Sequence, residues 1–358
     1  EIVQKNTDNK EIPKYAHIKE KLIGKTFEVT TDLDGALNHF ISEIQCNNLK
    51  TFYRSNCDLI KDIHICSQYS NLRHLKQALW DFEYFFKNID PKFQECQELA
   101  QELLRIFLTL SFEIKSAQIL STKISTIKDS FIKESHNKNK EQPSLYEQLR
   151  DKYNQINVLN LVLTHELWEE IFDRGIYDAQ ELNNALANSK YFIDKHTPNW
   201  IKLWHFSELT DEQFDRILPI VTNDLTNSKY HHIGEVKHVI GLLLYFIETI
   251  EIELTQEDIL QEALKNIHHI ITSQNITTHS DQIDHFFRDS SWQGLGFYNN
   301  ESPLFKELCE NITLLIQKHT EENYISEANE LLIGMKQHDV STFSYKITGT
   351  THHAGKYY

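Results

Sequence analysis

Five apolar residues, Leu72, Leu75, Leu79, Phe82 and Phe86, recur at three- and four-residue steps. That spacing lays one continuous apolar stripe along an α-helix and suits no β-strand. Asn71 stands just before it, where a side-chain oxygen can accept from a backbone N–H two or three residues on. Arg73 lies one residue, about 100° of helix, off the stripe. The same period recurs through most of the chain. With only 10 glycines and 6 prolines in 358 residues, helices can run long and tight turns are few.

The stretches 32–44, 48–66 and 71–87 read as successive helices. Asp90-Pro91 opens another, whose apolar pattern runs from Phe93 to about Glu134 as one helix or two with a kink. The polar run His136–Ser144, with Pro143, marks a boundary. Further helices are expected at 146–156, 161–172 and 179–188. Thr210 with Gln213 makes a capping box. The segment Gly234–Glu248 is apolar nearly all round and belongs at the centre of a bundle. Thr255, Ser302-Pro303 and Glu321 each open one more helix. Residues 21–30 form the one good strand candidate. The fold class is therefore mainly α, with at most a short strand near the N-terminus. The domain plan is an arm at 1–20, a first helical unit at 21–135, a linker at 136–144, a helical C-terminal domain at 145–340 and a tail at 341–358.

Charge excludes some functions. The net charge of −16 makes the chain a poor general binder of nucleic acid or anionic membrane. Lys115, Lys123, Lys128, Lys133, Lys138 and Lys140 give one locally basic stretch, read as a solvated helix face. Five cysteines without a C-x-x-C pair point to free thiols in a reducing cytoplasm. The longest apolar run, Val239–Ile247, is too short to span a bilayer.

Catalytic signatures are sparse. His165-Glu166-Leu167-Trp168-Glu169 lacks the second histidine of a zinc-protease helix. His231, His232, Glu235 and His238 have spacings that let three share a helix face, as a metal site needs. At a helix start they also read as ordinary polar residues. Trp200, Trp204 and Trp292 read as core or as a partner groove. Gly294-Leu295-Gly296 reads as a tight turn under Phe297. Gly24-Lys25-Thr26 ends like a P-loop, but Lys19 stands where the upstream glycine belongs, and Phe27-Glu28-Val29 reads as strand where a helix must start. Three acids, Asp281, Asp284 and Asp289, are the only material for a metal-dependent nuclease.

The run Ser70-Asn71-Leu72-Arg73-His74-Leu75-Lys76 resembles the lid helix of AAA+-like P-loop ATPases, with Arg73 matching the sensor 2 arginine. As a whole it is similar to the KAP group of bacterial P-loop NTPases. Lys19–Val29 resembles the segment that leaves the ATPase core for the lid in that group. Trp200-Ile201-Lys202-Leu203-Trp204, Gly234–Val239 and Gly294–Phe297 resemble pieces of the helical extension behind it. The resemblance implies a helical lid over residues 21–135 followed by a helical bundle or array. Arg73 and Asn71 would serve nucleotide binding, Arg73 meeting the γ-phosphate, and Arg54 would be a second lid or intersubunit arginine. ATP and Mg²⁺ would be held mainly by a core that lacks counterparts here, since Walker A and Walker B are absent. The chain starts at Glu1, so that core is expected upstream, and this part alone should not hydrolyse ATP. The resemblance further implies a cytoplasmic homo-oligomer with a protein effector partner in antiphage defence. Two other readings stand beside it. One is an all-α scaffold or interaction module without nucleotide chemistry, and the other is the metal-dependent effector nuclease.

Overall fold

The computed structural model describes residues 32–336, apart from 128–129, 131–142, 155, 159, 250–253 and 281–282. The arm, the strand candidate at 21–30 with Gly24-Lys25-Thr26, most of the 136–144 linker, Asp281 and the tail lie outside the described residues. What is described is mainly helical. The first part holds α1 (Leu33–Glu43), α2 (Asn47–Ser55), α3 (Cys57–Cys66), α4 (Leu72–Lys87), α5 (Pro91–Glu95), α6 (Gln97–Lys115), α7 (Leu145–Lys152), α8 (His165–Glu169, continued as a π turn to Arg174) and α9 (Ala179–Ala187). The second holds α10 (Asn199–Trp204), α11 (Asp211–Thr226), α12 (Ile233–Thr249), α13 (Gln256–Ser273), α14 (Ile283–Phe287), a hairpin of β1 (Ser291–Trp292) and β2 (Leu295–Gly296), and α15 (Pro303–Lys336).

Local chemistry sets the helix starts. Asn71 Oδ1 accepts from Arg73 N at 3.1 Å, the cap its position predicts. Thr210 and Gln213 complete their capping box, Ser144 and Glu147 form another, and Thr255 caps α13. Pro91 sits in the first turn of α5, as Asp90-Pro91 predicts.

Two apolar cores result. The first runs from Leu37 to Leu186 and centres on α4 and α6, where Phe82, Phe85, Phe107, Trp168 and Phe172 interlock ring against ring. The second runs from Trp200 to Ile316 around α12, which is buried on nearly every side. The apolar core thus divides between Leu186 and Trp200, not at the expected 136–144 break. Residues 145–187 belong with the first core because α7 is bolted to α6. The buried Glu113 carboxylate accepts from Tyr153 Oη at 2.5 Å and pairs with Lys152 at 2.6 Å.

Three other expectations change. The pattern expected to reach about Glu134 as one helix or two is interrupted after Lys115, where Ala117 turns left-handed (φ 59°) and Gln118 N returns to Glu113 O; helix resumes at Thr126, and residues 131–134 lie outside the described residues. The segment 48–66 is two helices meeting at Asn56. Glu321 opens no helix, because α15 runs through it as one 34-residue rod. Strand structure among the described residues sits at 291–296, where Gly294 takes φ +72° and lets the chain fold back.

Candidate functional site

The start of α4 carries the residues the sequence singles out. Leu75, Leu79, Phe82 and Phe86 are buried, so the stripe docks and Arg73 is left at the surface. The carboxylates that an arginine here might bridge are engaged elsewhere. Asp81 accepts from Gln77 Nε2 at 2.7 Å. Glu83 accepts from the backbone N–H of Gln45 and Cys46 and pairs with Lys87 at 2.9 Å. Among the described residues Arg73 has no carboxylate within salt-bridge range. His74 stacks on Tyr69, with ring centroids 5.1 Å apart. Burial holds its imidazole below the ordinary value, and the Lys115 and Arg73 cations add to this. Arg73 and Lys115 thus set two cations beside a ring that favours its neutral form, a small positive patch on a strongly acidic protein, able to meet an anion from outside. Arg54 lies exposed in the last turn of α2 and also lacks a carboxylate partner among the described residues.

A small cleft of about 20 Å³, room for a water molecule, lies at the junction of the two cores, away from Arg73. Glu102, Asn160, Lys190, Tyr191, Trp204 and His205 are among its walls. Burial raises the Glu102 carboxyl and lowers the His205 imidazole, so both favour their neutral forms. Its one cation, Lys190, already faces Glu208 at 3.5 Å. A space of that size holds a water and no nucleotide.

The histidine group at 231–238 is put to structural use. Glu235 Oε2 accepts from the backbone N–H of His231 and His232 at 3.0 and 3.2 Å, closing the start of α12. His232 stacks on Trp292 at 4.2 Å, and His238 stacks on Trp200 at 4.9 Å. His238 is fully buried, and its Nε2 donates to Trp292 O at 3.1 Å. Burial lowers its pKa to about 3, so the ring is neutral. Trp200, Trp204 and Trp292 are packed into the second core, and Trp204 Nε1 donates to Gly296 O at 2.9 Å. Of the acids proposed for a nuclease, Asp281 lies outside the described residues, Asp284 is exposed and Asp289 faces Lys237 at 3.2 Å; no metal-holding group of three forms among the described residues.

Lys237 is the residue that sequence reading missed. It is 1% exposed, and its ammonium donates to the carbonyls of Phe286 and Arg288 as well as to Asp289. The rings of Phe297 and Phe305 lie 5.1 and 5.9 Å from it. A lysine inside an otherwise apolar run was the available signal. This cluster fixes the turn after α14, which leads into the hairpin. The hairpin in turn meets the first core: Gly294 presses on Ala185, Asn188 Nδ2 donates to Gln293 O at 3.0 Å, and Arg288 pairs with Glu181 at 3.3 Å.

The helix α15 ends the described chain. Phe305, Leu308, Ile312 and Ile316 bury its first half against the second core. Hydrogen bonds from the 275–279 loop reach as far as Asn323 and Tyr324. Beyond that, Ile325 (62%), Leu332 (53%), Ile333 (53%) and Met335 (55%) are open to solvent. No helix among the described residues is long and apolar enough to cross a membrane. No family model, curated protein or solved structure matches the sequence.

Proposed function

We propose that this chain is a helical assembly and regulatory region that acts by binding protein, with no catalytic step of its own. The second core holds the first half of α15, and the outer part of that rod makes the contact. One observation carries the reading: from residue 324 onward the helix turns large apolar side chains into water, away from either core. Elsewhere the polar clusters are spent on internal ends. Glu83, Glu113, Glu235 and Lys237 each satisfy backbone or neighbouring groups of their own chain. Sedimentation velocity over a concentration series tests the proposal. The sedimentation coefficient rises with concentration if the rod associates. A constant monomer value, unaltered by any partner supplied, removes the proposal.

A second reading keeps support from Arg73. By the resemblance to KAP-like NTPases, this would be the lid and helical extension of a cytoplasmic antiphage ATPase. ATP and Mg²⁺ would sit in a core domain, and lid closure would be relayed to an oligomer or an effector. The supporting observation is that Arg73 is exposed at a capped helix start with no carboxylate partner among the described residues. In a protein carrying both core and lid, Arg73→Ala lowers ATP hydrolysis at least tenfold, on the scale expected when a charge-stabilising arginine is lost. Unchanged hydrolysis and assembly would dismiss the lid role.

A further inference from the structure

The outer part of α15 is amphipathic in a different direction from its anchored half. At 100° per residue, Phe305, Leu308, Ile312 and Ile316 define the face that docks on the second core. Tyr324, Ile325, Ala328, Leu331, Leu332 and Met335 define a second stripe, roughly 140° round the same rod. The two stripes cannot be buried by one body. The second has the three- and four-residue steps of a helix–helix seam. It is pre-ordered, because the helix is anchored up to Tyr324 by His279 and Asn275. A partner helix therefore meets a rod already folded, which spares much of the ordering cost of association.

The charges flanking this stripe select the partner. Glu322 and Lys336 are two heptads apart, so they lie on the same flank. Asn329 lies on that flank midway between them. A second copy turned end for end brings its own Lys336 to this Glu322 and its own Glu322 to this Lys336. Asn329 then meets its symmetry mate on the two-fold axis. A copy running in the same direction meets the opposite flank instead, where Tyr324, Glu327 and Leu331 offer no cation. Among the described residues Glu322 pairs only with the exposed Lys318, at 3.9 Å, too long and too wet to satisfy it.

We infer that the outer half of α15 is a self-association surface, on which two copies of this chain pair antiparallel through the seam Ile325–Ala328–Leu332–Met335 with reciprocal Glu322–Lys336 contacts. This rests on the assembly reading above and gives it a partner and a geometry. An isologous contact of this kind closes at two copies. The buried stretch is only about 22 Å long, so the pair is concentration-dependent.

Charge reversal tests it. Glu322→Lys and Lys336→Glu each turn two reciprocal attractions into repulsions, and each weakens association measured by sedimentation equilibrium roughly tenfold. The double variant E322K/K336E restores the parent value, because the reciprocal pairs are rebuilt with signs exchanged. Circular dichroism confirms that all three variants keep their helix. Association indifferent to the single changes, or not recovered in the double variant, overturns the antiparallel pairing while leaving assembly through another surface intact. A parent chain that stays monomeric overturns both.

Discussion

At the scale of single residues, the second core is organised by two groups that a core normally avoids. Lys237 contributes by closing the end of α14, since its ammonium replaces the N–H donors that the last carbonyls of a helix lack. Lys237→Ala leaves those carbonyls buried without a donor and removes the packed stem. We expect a loss of roughly 2–4 kcal/mol in urea unfolding. Lys237→Met keeps the stem and loses less. His238 contributes a pH dependence. Its pKa in the folded chain, about 3, lies below the ordinary histidine value, so only the unfolded chain takes up a proton as pH falls below about 6.5. The stability it contributes is complete above that pH and declines towards pH 3, by about 1.4 kcal/mol per unit through this one group. In His238→Phe the ring stack on Trp200 survives and the slope of stability between pH 6.5 and 5 becomes shallower. An unchanged slope would assign the acid sensitivity to other buried histidines, such as His205 and His64.

At the scale of elements, the sequence is most readable where the determinant is local. Asn71, Thr210 and Thr255 cap the helices they precede because a cap is decided within four residues. The burial of α12 follows from composition alone. The misread elements depend on distant partners. The helix at 303–336 looks like two helices in sequence because its apolar stripe changes face near Thr320. The backbone does not break there; only the neighbour changes. Likewise α7 to α9 join the first core through Glu113, Tyr153 and Trp168, contacts that no periodicity announces. The close approach of α12 to the hairpin exit is another such contact. A Cβ on Gly241 would fall 2.3 Å from the Tyr298 carbonyl oxygen. Gly241→Ala therefore destabilises by about 1–3 kcal/mol, despite the better helix propensity of alanine. A gain in thermal midpoint would show that the hairpin does not press on α12 as described.

For the whole molecule, the candidate sites divide by the same logic. Asn71 was legible down to its hydrogen bond, and Arg73 was legible as a surface arginine beside a buried stripe. The local pattern does not say what Arg73 meets, and among the described residues no carboxylate stands within salt-bridge range of it. The histidine group at 231–238 suggested ligands by spacing, but spacing cannot show that Glu235 is consumed by backbone N–H groups or that His238 is sealed between rings. The proposed assembly surface is visible only when the rod is seen whole. A stripe that looks like one more core face in sequence proves to face outward, because the core lies on the other side of the helix.

The claim that this molecule works by presenting its last helix is tested most directly by mass. Light scattering on the parent chain and on an Ile325→Asp/Leu332→Asp variant, over the same concentration range, compares them with and without the exposed seam. The account predicts a parent mass that climbs towards two chains while the variant holds at one. Equal masses at every concentration would contradict it.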